Sequence, residues 1–223
     1  MILVDHEIKK AVKDGELVIK PFNEENVGAV SYDVTLSNHF TIYTNQIFDP
    51  LNEVEYESFS IDEDECIILV PFHYEIFYDQ DLEQLVFRTR CQTDLIVDPD
   101  EINLASLDDS FAIFSAVLAS TNEYIKLPDY ISAEYTGRSS LGRIFLQSHQ
   151  TAGWLDAGFE GTVTLELIAL DCPVILHPNM KIGQLIFYKH EKCDVPYWKR
   201  KSSKYLKQVG ATPSRLHLDY EED

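Results

Sequence analysis

The feature that most restricts this chain is a two-residue rhythm of apolar side chains, broken at short intervals by glycine and proline. "TVTLELIAL" (162–170) places Val163, Leu165, Leu167 and Ala169 on one face. "VSYDVTL" alternates from Val30 to Leu36, and "KIGQLIFYK" (181–189) reads as another strand. Side chains alternate between faces along a strand, so this period belongs to sheet, not helix. Pro128, Gly158, Gly161, Pro173, Pro178 and Gly183 punctuate it. The exception is "VDHEIKKAVKDG", which predicts one short N-terminal helix. Asp5 is its expected N-cap, Ile8, Ala11 and Val12 form its apolar stripe, and Gly15 ends it. Many short strands and one early helix predict an all-β barrel or jelly roll.

At 223 residues, the chain suits a single domain with room for an insertion. The segment 48–109 has the character of an acidic insertion: "IDEDE", "YDQDLEQ" and "DPDE" alternate with aromatic and β-branched residues. It is expected to hold some strands and a short helix. The tail, 193–223, is polar and carries the densest basic run, Lys199, Arg200, Lys201 and Lys204, as expected of a frayed end or a lid.

The formal charge of −20 repels nucleic-acid backbones and anionic lipid, which disfavours both as partners. A small phosphorylated substrate is still admitted, because it feels local cations more than distant screened charge. Cys66, Cys91, Cys172 and Cys193 are scattered without a C-x-x-C, against a disulfide framework or structural zinc. The first ten residues are already charged and no apolar run reaches membrane-span length, so a cytoplasmic protein is expected.

Chemistry concentrates between 136 and 167. "TGRSSLGR" offers Arg138, Arg143, Ser139 and Ser140 between glycines. A helical turn opened there would aim N–H groups at an anion, with arginines able to fork onto phosphate oxygens; a structural turn with surface arginines is the plainer alternative. Glu166 shares its strand face with Thr164 and Ile168. It is either inert on a watered face or a partly buried carboxylate suited to shuttling protons. Asp156 fits an ordinary turn aspartate. Glu160 fits a solvated acid, His149 a structural histidine, and Asp33 a structural partner for an arginine.

In combination these residues are more specific. "GRSSLGRIFLQSHQTAGWLDAGFEGTVTLEL", followed by "MKIGQLIF" and "SKY", resembles the signature of the dCTP deaminase branch of the dUTPase superfamily. "MILVDHEIKKAV", "IKPFNEENVGAVSYDVTL" and "TNEYIKLP" resemble its N-terminal part, so the likeness spans roughly 1–45 and 115–220. It implies a distorted jelly roll of the dUTPase-like, β-clip kind. It also implies a homotrimer with sites at subunit interfaces, and dCTP or dUTP with Mg2+ on the phosphates. By resemblance, Arg138 and Ser140 cradle the triphosphate, Ser139 helps hold the base-side water, and Arg143 supports the catalytic centre. Ala152 sits by the base, Glu166 is the deamination acid/base, and Tyr197, Lys204 and Gln208 close over sugar and phosphates.

Zinc-dependent cytosine deaminases carry H-x-E…P-C-x-x-C, which is missing here; deamination without zinc is expected. Asp156 matches an aspartate that activates water at the α-phosphorus in dUTPases. Trp154, assigned to the substrate-binding set, stands where bacterial monofunctional deaminases often carry a basic residue. The resemblance is therefore to the bifunctional, dUMP-forming members. The alternatives are a deaminase releasing dUTP and a non-catalytic nucleotide-binding homologue.

Overall fold

The computed structural model describes residues 1–45, 47–81, 83–89, 94–107 and 110–220. Cys91, the end of the acidic segment at 108–109 and the last three residues of the tail lie outside the described residues.

Helix α1 runs from Asp5 to Lys13, and it does not start as expected. Asp5 is already helical, and Val4 is the cap residue. The cap works through Glu7, whose carboxylate accepts the Val4 N–H at 3.0 Å, while the Asp5 carboxylate meets the His6 ring. Gly15, at φ +75°, takes the left-handed conformation after the helix C-cap at Asp14.

The first half of the chain then lays down β1 (Val18–Lys20), β2 (Tyr32–Tyr43), β3 (Tyr56–Ser60), β4 (Ile67–Leu69), β5 (Tyr74–Asp79), β6 (Gln84–Thr89) and β7 (Asp94–Val97). Three two-residue strands follow: β8 (Ser106–Leu107), β9 (Ser110–Phe111) and β10 (Ile113–Phe114). The second half contributes β11 (Ala116–Lys126), β12 (Ile131–Gly137), the single-turn helix α2 (Ser139–Gly142), β13 (Leu146–Gln147) and β14 (Trp154–Leu155). β15 (Glu160–Ala169), β16 (Val174–Leu176) and β17 (Lys181–Lys189) complete the strands.

Nine strands form the main sheet. Its path is β13-β15-β11-β2-β17-β12-β14, with β1 on β11 and β3 on β2. The twelve-residue β2 serves three neighbours, with His39–Tyr43 on β3. Tyr32–Thr35 pairs with β17, and Leu36–Thr41 pairs with β11. The register shifts at both junctions, and such irregularities add twist to a sheet. The sheet therefore curls around a core that includes Tyr32, Leu36, Phe40, Leu165, Leu185 and Phe187, all fully buried. Each such side chain contributes roughly 1.5–3 kcal/mol on burial. Its inward faces are those that the alternation marks: in β15, Val163, Leu165, Leu167 and Ala169 are all buried.

The acidic segment is tied into this body. β3 pairs with β2, β4 pairs with β16, and Ile61, Ile67 and Leu69 join the main core. Beyond Leu69 it builds a β5-β6-β7 sheet over a second, smaller core of Cys66, Ile68, Val70, Leu85, Phe87 and Leu104. Among the described residues of 48–109 there is no helix, contrary to expectation. Asp79 and Gln84 pair across the β5–β6 turn, where the Asp79 carboxylate accepts the Asp81 N–H at 2.9 Å.

The tail is seated on the body. The Lys207 N–H donates to the Glu160 carbonyl, and the Thr162 N–H to the Gln208 carbonyl. Ala211 is buried, and its carbonyl accepts from Thr41 Oγ1 at 2.8 Å. Gly161, at φ +151°, lies under Gln208, where a side chain would meet the Gln208 carbonyl at 2.8 Å. No described helix is long and apolar enough to cross a membrane.

Candidate active site

The strand β15 turns Thr164, Glu166 and Ile168 away from the core, and Glu166 faces a cavity of about 530 Å³. The segment that precedes it, with β14 paired to β12, supplies Ala152, Trp154 and Asp156 to the same cavity; the tail supplies Tyr197, Tyr205, Gln208 and the run 212–214. Tyr43 at the end of β2 and Leu118 of β11 form the remaining side.

Glu166 is held rather than free. The Gln150 N–H donates to its Oε2 at 3.1 Å, and the Gln150 amide donates to its main-chain carbonyl at 3.2 Å. An N–H bonded to a carboxylate is charge-assisted and therefore directional. Asp156 sits where β14 leaves for the turn. Its carbonyl accepts the Phe159 N–H at 3.0 Å, and its carboxylate accepts from Arg200 Nη1 at 2.6 Å.

The aromatic walls are also fixed. The Ser214 N–H donates to the Tyr43 hydroxyl and the Tyr205 N–H to the Tyr197 hydroxyl. Burial raises the pKa of both phenols, which keeps them neutral with a proton to donate. Trp154 is half exposed and packs against Tyr188 at 5.4 Å, so its ring forms part of the cavity mouth. Gln208 donates from Nε2 to the Thr162 carbonyl at 2.8 Å, while its Oε1 is buried without a hydrogen-bond partner. Such an orphan acceptor beside a cavity is suited to a ligand donor.

The other residues of interest are elsewhere. Arg138 caps α2 and lies 3.5 Å from Asp33, which also holds Lys181 at 3.1 Å. Ser139, Ser140 and Arg143 are exposed on α2 and at its end. None of these four lines the cavity, nor does Lys204, which is paired with Asp219. Glu160 is bound by Lys126 and the Tyr124 hydroxyl, and His149 packs edge-on to Tyr135. Sequence reasoning missed Gln150, Tyr43, Tyr205 and the 212–214 wall. Only the basic run around Arg200 gave notice of the partner that Asp156 finds in the tail. No group of three or more His, Cys, Asp or Glu among the described residues is arranged to hold a metal.

A curled, mostly antiparallel sheet with one short N-terminal helix, its two cavity carboxylates under a folded-back tail, defines a distorted jelly roll. The chain belongs to the dCTP deaminase-like family, whose family model matches residues 2–116 and 114–190. It is 44% identical over 222 residues to the "dCTP deaminase, dUMP-forming" of Methanocaldococcus jannaschii, covering 98% of each chain. It is 41% identical to the protein of that name from Methanococcus vannielii, covering 100% of this chain and 98% of that one. With the Nanoarchaeum equitans protein of the same name, identity is 34% over 99% and 100%. In fold it is similar to the crystal structure of 2'-deoxycytidine 5'-triphosphate deaminase from Agrobacterium tumefaciens. The TM-score is 0.52 at 16% identity, with 83% of this chain matching 47% of that one.

Proposed function

We propose that this chain converts dCTP to dUMP, by hydrolytic deamination to the uracil nucleotide followed by release of diphosphate. The observation that carries this reading is that Glu166 and Asp156 face one cavity, with an aromatic mouth at Trp154 and a small residue, Ala152, beside them. The full-length relatives named for the dUMP-forming reaction support it.

In the first step water adds to C4 of the cytosine. Glu166 takes a proton from that water and returns one to the departing ammonia, the work of a single acid/base carboxylate. Gln150 keeps one carboxylate oxygen engaged, so the other faces the reactants in a fixed direction. In the second step Asp156 takes the proton of a water directed at the α-phosphorus, and diphosphate leaves with the bond it had to that phosphorus. Gln208 Oε1 and the Tyr43 and Tyr197 hydroxyls are the polar groups available for sugar and base.

Mg2+ carried on the substrate's phosphates would neutralise their charge. The position of Arg138, Ser139, Ser140 and Arg143 outside the cavity, the last three exposed, supports a homotrimer in which one subunit's α2 segment completes a neighbour's phosphate site. Lys204 joins that set on releasing Asp219.

The test is incubation with dCTP and Mg2+, resolving dUTP, dUMP, dCMP and diphosphate. The expected products are dUMP, ammonia and diphosphate. Accumulating dUTP without dUMP would remove the second step, and no product would leave a nucleotide-binding homologue.

A further inference from the structure

The turn that carries Asp156 and the tail segment that carries Arg200 are packed as one unit. Gly158, at φ +85°, is so close to the tail that a side chain there would meet Pro196 Cβ and Trp198 Cδ1 at 2.8 Å. The Tyr197 N–H donates to the Ala157 carbonyl at 2.8 Å, and the Arg200 N–H donates to the Tyr197 carbonyl at 3.2 Å. The Ser203 hydroxyl closes the same loop onto the Tyr197 carbonyl. From this base Arg200 Nη1 reaches Asp156 Oδ2 at 2.6 Å. Asp156 Oδ1 takes no hydrogen bond from any described residue. Both side chains are half exposed, at 49% and 41%, so the pair does little for stability. Its geometry is nonetheless specific: one carboxylate oxygen is tied down and the other is unengaged, on a residue that lines the cavity.

We propose that Arg200 is a positioning residue for the phosphate-cleaving step alone. It fixes the Asp156 carboxylate through Oδ2 and leaves Oδ1 to take the proton of the attacking water. Glu166 has its own anchor, Gln150, which is not in the tail. Arg200 therefore sets how much dUTP goes on to dUMP without setting the rate of ammonia release. This rests on the assignment of Asp156 to phosphate cleavage.

The experiment uses full-length Arg200→Ala, Arg200→Lys, Asp156→Asn and the Arg200→Ala/Asp156→Asn double variant. Each is given dCTP or dUTP with Mg2+, and ammonia and diphosphate are measured separately. Arg200→Ala should lower kcat for diphosphate release from dUTP by about tenfold or more, as a misplaced reacting group does. KM for dUTP and ammonia release from dCTP should stay near wild type, so that dUTP accumulates from dCTP. Arg200→Lys should recover part of the loss, since it restores the charge but not the planar fork. Adding Arg200→Ala to Asp156→Asn should cost nothing further, because the two act through one carboxylate. Equal loss of ammonia and diphosphate would reduce Arg200 to a general tail anchor and overturn the proposal, as would a rise in KM alone. Full diphosphate release by Asp156→Asn would instead remove the underlying assignment. An inactive Asp156→Asn beside a fully active Arg200→Ala would sink only the role of Arg200.

Discussion

The Gln150 N–H bonds to Glu166 Oε2 at 3.1 Å, joining the loop between β13 and β14 to the middle of strand β15. This contact gives a cavity-facing strand residue one direction in which to point. Replacing Glu166 by Gln keeps the size but removes the proton-carrying group. Ammonia release from dCTP should fall by about 10²–10⁴-fold, the usual contribution of an acid/base group. Some hydrolysis of supplied dUTP should survive. Equal loss of the two activities, measured side by side, would contradict the division of labour between Glu166 and Asp156.

His39 Nδ1 accepts the Ala211 N–H at 3.2 Å, and so helps seat the tail. Burial lowers the pKa of this imidazole below its ordinary value. The docked tail thus favours neutral His39, since an imidazolium carries a hydrogen at Nδ1 and cannot accept. The contribution to docking is complete above the ordinary imidazole pKa of about 6.5 and is lost as pH falls through the lowered value. Limited proteolysis should cut the tail faster as pH drops from roughly 7.5 to 5. His39→Asn, whose amide oxygen accepts without titrating, should flatten that response; an unchanged response would clear His39.

Gly158 has a backbone that side chains rarely adopt and no room for one. Gly158→Ala should cost about 1–3 kcal/mol through strain. Because the collision is with Pro196 and Trp198, it should also part the tail from the Asp156 turn. Melting temperature and tryptic cleavage after Arg200 report the two effects. A variant that melts lower but keeps its tail protected would show that the turn, not the tail, yields.

Chelation with EDTA should stop diphosphate release, and Mg2+ should restore it, since the triphosphate brings charge into a chain already at −20. Diphosphate release that continues in EDTA would mean that the basic side chains suffice.

The strands were legible because burial in a strand is written locally, every second residue. β15 and the start of β2 follow that rule closely. The rule fails within "TNEYIKLP". Four residue steps of β11, Ser120 to Tyr124, lie opposite two of β15, Thr164 to Thr162. The shift in register brings Glu123 inward, 2% exposed, where it accepts both the N–H and the hydroxyl of Thr35. Burial raises its pKa. No periodicity announces such a residue, because its partner is 88 positions away.

The site divides in the same way. Ala152, Trp154, Asp156 and Glu166 come from one continuous stretch of sequence, so a short motif carries them. Arg200 meets Asp156 across 44 residues, and Lys204 meets Asp219 in a tail whose composition suggested mobility. These are tertiary pairings between charges that are individually unremarkable.

The sharing of β2 among its neighbours also bears on how the chain is made. Asp33, near its start, waits for Lys181, which follows it by 148 positions. At about 5–20 residues per second, synthesis takes roughly 7–30 s to deliver that partner. Through that interval Tyr32–Thr35 lack their β17 ladder, while the second half of β2 can already close on β3. A nascent chain must therefore keep the apolar face of Tyr32, Val34 and Leu36 from straying until its last strand emerges.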